Sequence, residues 1–369
     1  MSTYLTAVST DSKPHSTTAP PTPVGSDYAT LVRSVRAAGL LDRRPFSYGL
    51  RGLLTVGFYA ATCLAIVGVG NSWFQLVNAG VFALAFGQIA FLGHDAGHQA
   101  IFASRRLNDA LGRSLGNVLT GLSYGWWVDT HNRHHANPNH EQSDPDISDG
   151  VLAYTRAQAA NRHGPISRFL TRNQAWLFFP LTLLEGISMH VDSVIAIRTG
   201  RYRSARGGGR RYETVGMIIH AALYVTLLLL VMSPAKAAAF IGVHQAVFGL
   251  YMSCTFAPNH KGMPTLAASH ELDYLRRQVL TSRNVRGGWF TDIALGGLNY
   301  QIEHHLFPNM PRPALRQAQP LVRSYCHELG VSYCETSLFR SYRIVLEHLH
   351  TMGAPLRAER GTRRGLGQI

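Results

Sequence analysis

Charge is scarce in this chain. Only 15% of its 369 residues are Asp, Glu, Lys or Arg, against roughly 25% in an ordinary soluble protein. Cysteine is scarce too. Of the four, Cys63 and Cys254 lie in apolar runs, and Cys326 and Cys334 make a C-x7-C pair. That count excludes a disulfide framework and the spacing is not that of a zinc site, so reduced thiols are expected. The opening MSTYLTAVSTDSKPHSTTAPPTPVGSD has no apolar core that a secretory signal needs. Rich in Ser, Thr and Pro, residues 1–26 read as a disordered tail. No G-x-G-x-x-G run opens a helix, which removes a dinucleotide fold, and no internal repeat is found.

What the chain has instead is four long stretches without Lys, Arg, Asp or Glu: Leu53–Gly70, Phe74–Leu92, Val215–Met232 and Ala237–Phe256. Each approaches the roughly 20 apolar residues that cross a bilayer. They come as two close pairs, and the expected fold is an all-α integral membrane protein: four transmembrane helices in two hairpins, with a cytoplasmic helical cap. The net charge of +14 follows the same plan. Fourteen Arg fall between 101 and 213, and more follow 259, whereas the turns inside the pairs carry a single Lys. By the positive-inside rule the long segments and both termini are cytoplasmic. Topology thus accounts for the basic charge without nucleic acid. The shorter run Trp176–Ile187, interrupted by Pro180 and Glu185, reads as part of a helix lying in the interface. Tyr28–Gly39 reads as a short surface helix, and Arg198–Arg211 as a flexible basic loop. The expected units are a tail at 1–26, a membrane domain at 27–345 and a basic tail at 346–369.

Histidine is abundant, with eighteen residues, and it clusters. HDAGH carries His94 and His98, HNRHH carries His131, His134 and His135, and QIEHH carries His304 and His305. Spacings of three and four put imidazoles on one helical face. His260, beside Asn259, follows the fourth run. Scattered histidines such as His163, His190, His220, His270, His327, His348 and His350 read as ordinary polar residues. The clusters do not. Packed imidazoles repel one another if charged and leave donors stranded if neutral, and a metal resolves both. There are too many for one ion, no Cys is near, and the Glu-x-x-His spacing of soluble di-iron bundles occurs only at Glu347 and His350. The pattern calls for two ions held by histidine at a membrane surface. The clusters meet only if an even number of spans separates them, which again keeps Trp176–Ile187 from crossing.

HDAGH, HNRHH and QIEHH resemble the three histidine boxes of the integral-membrane fatty acid desaturases. The similarity runs from about Tyr28 to Ser341, and HHANPNHEQSDPDI and FAPNHKGM look like the acyl-lipid and acyl-CoA branch, its actinobacterial members in particular. The resemblance implies an iron pair that uses O2 and two electrons to put a cis double bond into an acyl chain of acyl-CoA or an acyl-lipid. It implies a bacterial cell membrane as the location. By position, His94, His98, His131 and His135 would hold one iron, and His134, His260, His304 and His305 the other. Asn259 and Gln301 would act through water. Gln301 stands where many desaturases have His, as in enzymes that insert double bonds toward the carboxyl end. Those carry a fused heme domain with a His-Pro-Gly-Gly motif that is missing here, so a ferredoxin or another reductase-linked donor is expected. Asp95, Asp144, Asp146 and Glu303, with Asp129, are candidates to orient the imidazoles. Trp126 and Trp127 read either as walls of an acyl tunnel or as interface anchors. Hydroxylases, acetylenases and conjugases share these boxes and remain open as alternatives. A metal transporter remains as a different class, for which ionisable residues such as His220 and His244 would face a pore.

Overall fold

The computed structural model describes residues 26–202, 209–267, 269 and 271–358. Nearly all of the expected N-terminal tail, 203–208 of the basic loop, His270 and 359–369 of the C-terminal tail lie outside the described residues. Helix α1 (Asp27–Ala37) starts at Ser26, whose hydroxyl accepts from the Ala29 amide. Then come α2 (Pro45–Val69), α3 (Gln75–Gly97), α4 (Arg105–Arg113), a π-helical turn at 114–119 and α5 (Tyr124–Ala136). Four helices follow: α6 (Arg156–Ala160), α7 (Pro165–Arg172), α8 (Gln174–Thr182) and α9 (Glu185–Thr199). After α10 (Gly209–Val231) and α11 (Pro234–His260) come α12 (Tyr274–Leu280), α13 (Trp289–Ala294), α14 (Gln301–Leu306), α15 (Arg312–Glu328) and α16 (Leu338–Met352).

Helices α2, α3, α10 and α11 are each long and apolar enough to cross a membrane. They overrun the uncharged stretches because helical bonding continues into polar ends. Pro45 and Pro234 supply first turns with φ preset for a helix. Leu53, Leu64, Leu223 and Leu230 point outward from α2 and α10, while α3 buries Phe82, Phe86, Ile89 and Phe91. A helix apolar all round belongs in an apolar surrounding. Small residues set the close contacts. A Cβ at Gly87 of α3 would meet the Tyr251 ring of α11 at 2.5 Å, and one at Gly249 would come within 2.4 Å of the Gly186 amide of α9. The two short turns are tied together, since Asn71 accepts from Ser233 N (3.1 Å) and from Lys236 Nζ (2.7 Å). Between α8 and α9 the chain bends by 70°.

The remainder builds a helical cap. Leu31 and Val35 of α1 pack with Leu275 of α12, Ile302 of α14 and Ala318 and Val322 of α15. The segment read as a surface helix is therefore core to the cap, and it backs the third histidine box. A second cluster, Phe178, Ala257, Val345 and Leu349, joins α8, α11 and α16. The all-α expectation needs one correction. Strands β1 (Asn284–Arg286) and β2 (Glu335–Ser337) form a parallel two-stranded ladder that pairs Val285 with Thr336. Three residues are too few for an alternating pattern to register in sequence.

Candidate metal centre

The ends of four helices converge at the junction of the bundle and the cap. His94 and His98 close α3. Gly97 between them is required by space, because a Cβ there would strike Trp127 of α5 at 2.6 Å. His131, His134 and His135 occupy the last turns of α5. The other end of α5 is anchored: Ser123 Oγ accepts from the Trp126 amide (3.2 Å) and donates to Glu213 Oε2 (2.5 Å), which also accepts from the Gly125 amide. His260 ends α11, and His304 and His305 lie on α14.

These eight imidazoles form one cluster. Ligand atoms of His94, His98, His131 and His304 lie within 4.8 Å of one another, as do those of His134, His260 and His305. His135 lies between the two sets. It stacks on His305 at 4.1 Å, and its ring is 4.6 Å from His98 and 4.7 Å from His304. This grouping differs from the division by position: His304 sits with the first set, and His135 touches both. All eight are buried except His131, which is partly exposed. Trp127 stacks over His131 at 4.5 Å, 22° from parallel, and so lines the first set.

Four of the rings, those of His94, His134, His260 and His305, have a partner behind Nδ1, whereas His135 Nδ1 has none. His134 Nδ1 faces Asp144 Oδ1 at 3.0 Å, and Asp146 Oδ2 is 3.4 Å away. Asp144 is itself held by the Asn139 amide (2.7 Å) and the Asp146 amide (2.9 Å). His260 Nδ1 donates to the Thr281 carbonyl (3.0 Å), and His305 Nδ1 to Gln278 Oε1 (2.9 Å). Asp95 Oδ1 is 3.5 Å from His94 Nδ1, and Arg312 Nη2 is 2.8 Å from Asp95 Oδ2. A proton held at Nδ1 leaves the Nε2 lone pair free. Those lone pairs face one another: His94 and His131 at 3.2 Å, His131 and His135 at 3.1 Å, His134 and His260 at 3.3 Å. The buried Nε2 atoms of His98, His304 and His305 have no hydrogen-bond partner. Inward lone pairs with outward protons fit a cation, and imidazole suits Zn, Cu, Fe and Ni.

Electrostatics agree. Burial, then neighbouring imidazoles, hold His98, His131, His135, His304 and His305 well below the usual histidine range, so they stay neutral. His134 is the exception. Burial pushes it down, but Asp146 and Asp144 outweigh that and raise it. Glu303 has its carboxyl pushed up to about 7 by burial. It bonds to Asn284 and Tyr333, each at 2.7 Å, rather than to an imidazole. Asp129 pairs with Arg133 on the same helix. Gln301 Nε2 donates directly to His260 Nε2 at 2.9 Å, and Gln301 Oε1 accepts from Asn259 Nδ2 at 3.1 Å. Glu347 pairs with Arg343 in the open.

Several contributors had no signal in the sequence. Gln278 bridges two boxes, donating to the His135 carbonyl (2.9 Å) while accepting from His305. Asn139, at φ +54°, donates to the His260 carbonyl (3.0 Å). The spacing HANPN announces a turn but not its partner.

Similarity to known proteins points the same way. The family described as fatty acid desaturase matches residues 71–337. A Delta(8)-fatty-acid desaturase of Helianthus annuus is 26% identical over 341 residues, covering 89% of this chain and 73% of its own. The Delta(5) fatty acid desaturase fat-4 of Caenorhabditis elegans is 30% identical over 336 residues, covering 89% and 74%. The Delta(6)-fatty-acid desaturase fat-3 of the same organism is 30% identical over 297 residues, covering 78% and 66%.

Proposed function

Since the chain belongs to the fatty acid desaturase family and is thus an oxidoreductase, we propose that it removes two hydrogens from adjacent methylenes of an acyl chain, leaving a cis double bond. One O2, two electrons and two protons are consumed and two waters are formed. The acyl chain arrives on CoA or in a membrane lipid, and the electrons come from a reductase-linked carrier such as a ferredoxin. Helices α2, α3, α10 and α11 cross the bilayer as two hairpins, with the histidine centre and the cap on the cytoplasmic side and α8–α9 in the interface. The observation that carries the reading is the inward-facing set of Nε2 lone pairs in a chain matched to this family over 71–337.

The eight histidines would hold two iron ions. His94, His98, His131 and His304 form one ligand set, His134, His260 and His305 the other, and His135 lies between them. Bound there, iron supplies the redox chemistry with O2 that an unactivated methylene demands. The protein does the rest. Asp144 and Asp146 keep the His134 proton on Nδ1, and the Thr281 carbonyl does so for His260. Gln278 keeps the α5 and α14 boxes in one register. Arg312 balances Asp95 behind His94. Trp127 packs over His94 and His131 of the first set. Gln301 touches the second set directly. Gln at this position and relatives named for Delta(5), Delta(6) and Delta(8) support insertion toward the carboxyl end.

Gas chromatography–mass spectrometry of fatty acids tests this, in a host that expresses the wild type or His134→Ala together with a ferredoxin system. A new acid unsaturated near the carboxyl end, in the wild type only, is expected. A hydroxylated or alkynyl acid would overturn the double-bond outcome. A double bond placed toward the methyl end would overturn the regiochemistry.

A further inference from the structure

The stretch RGGWFTDIALGGLNYQIEHH leads from β1 into the third histidine box. Its helix, α13, is bounded by Gly287–Gly288 and Gly296–Gly297, and it exposes large apolar side chains: Trp289 and Phe290 at 70% each and Ile293 at 46%. Its backbone is fastened to two of the long apolar helices. Gln88 of α3 donates to the Ile293 carbonyl (3.1 Å), and Tyr251 of α11 donates to the Ala294 carbonyl (2.5 Å). Gln88 also donates to the Tyr251 hydroxyl (2.8 Å).

Those anchors fix a depth. Gln88 lies about 20 Å along α3 from Gln75, and Tyr251 about 26 Å along α11 from Pro234, at 1.5 Å per residue. Both fall short of the roughly 30 Å of a bilayer's hydrocarbon. The surface is also continuous with the bundle's own apolar face. On α3, Val77 (69% exposed), Val81 (39%) and Leu84 (44%) form an outward stripe at helical spacing that runs onto Gln88 and so onto α13. The polar edge of α13 faces elsewhere: Asp292 accepts from Asn299 (2.9 Å) and lies 3.5 Å from Arg316. An apolar face with a polar edge is the pattern of a helix seated in lipid.

We propose that α13 is inserted into the leaflet beside the histidine centre, with Trp289, Phe290 and Ile293 among lipid acyl chains. The proposal rests on the reading of the four long helices as membrane spans. It makes the bilayer a positioning partner of the third box. A Cβ at Gly296 would meet Phe91 of α3 at 2.4 Å, and one at Gly297 would meet Arg312 of α15 at 2.6 Å. Both glycines have positive φ, +61° and +79°. The link from α13 to His304 and His305 is thus clamped, and the depth of α13 sets the depth of α14.

Photocrosslinking of the full chain in phosphatidylcholine vesicles tests this. Phe290→p-benzoylphenylalanine is compared with the same substitution at Leu64, outward on α2, and at Glu328, exposed at the end of α15. After irradiation, mass spectrometry should find one phospholipid added at 290 and at 64, and none at 328. Trp289→p-benzoylphenylalanine repeats the test should the first variant fail to fold. An adduct at 64 but none at 290 or 289, or a cross-link there to a second copy or to another protein, overturns the proposal while the spans stand. No lipid at 64 overturns the spans and the proposal with them.

Discussion

Among the described residues two groups of histidine pack in or against the long helices, and they are built differently. At the bundle–cap junction, imidazoles turn their Nε2 atoms toward one another, and four of them have an acceptor behind Nδ1. Inside the bundle, His190, His220 and His244 surround Phe86, with ring centroids 6.5, 6.0 and 4.7 Å away. Here each ring bonds to its surroundings through at least one nitrogen, and the one buried nitrogen without a partner, His244 Nε2, faces no other imidazole nitrogen within hydrogen-bond distance. His190 reaches the Gly186 and Thr120 carbonyls, at 2.7 and 3.1 Å, and His220 reaches the Val118 carbonyl at 3.0 Å. The last two carbonyls lie where the π-helical turn and the chain after it leave backbone oxygens without helical partners. His244 takes the Tyr224 hydroxyl at 2.8 Å. Ring type and at least partial burial are therefore common to both groups. Convergence of free lone pairs separates a candidate metal centre from structural glue. The same observation counts against a pore, since His220 and His244 are bonded within the bundle.

The comparison breaks first, and hardest, at the ligands. His304→Ala should lower product formation by well over about 100-fold, more than the loss of an orienting group costs. Iron per chain should fall with it, while the protein still inserts and elutes as folded. Full activity with full iron would remove His304 from the centre. A smaller effect is expected one step back. Asp144→Asn should weaken metal retention by about 10- to 100-fold, read as faster loss to a chelator. An unchanged rate would mean that the bond to His134 does not orient it.

The bundle histidines should behave in the opposite way. His220→Leu removes the bond to the part-buried Val118 carbonyl, at a cost of about 1 kcal/mol. Thermal unfolding in detergent should show the loss, with iron content unchanged. A loss of iron instead would erase the distinction between the groups. Smallest of all, Glu347→Ala removes an exposed i,i+4 partner of Arg343 and should shift stability by no more than about 0.5 kcal/mol. Iron content should hold, since Glu347 and His350 stand apart from the centre.

Local periodicity explains what could be read in advance. The i, i+3, i+4 spacing of HNRHH and the i, i+4 spacing of HDAGH do put their imidazoles on shared helical faces, because α-helical geometry alone dictates it. The four uncharged runs became the four long apolar helices for the same kind of reason. The ladder of β1 and β2 went unseen because each strand is only three residues long. Gln278, Thr281 and Arg312 went unseen because their roles depend on partners far away in the chain. Glu303 adjoins His304, yet its bonds go to Asn284 and Tyr333. Neighbours on a helix point about 100° apart, so adjacency alone does not decide contact: Asp95 reaches His94, and Glu303 does not reach His304.

The sequence by itself determined the donor chemistry and the shared faces of the first two histidine clusters, because these follow from residue type and from spacing within a single helix. The tertiary structure alone decided which rings face one another. It put His304 among His94, His98 and His131, and left His135 between the two sets. It also decided which nitrogen of each ring looks inward. Both depend on where the ends of α3, α5, α11 and α14 meet, and on oxygens brought behind the rings from elsewhere in the chain. Packing of the cap core against the bundle fixes that meeting point, and spacing within one helix carries no information about it.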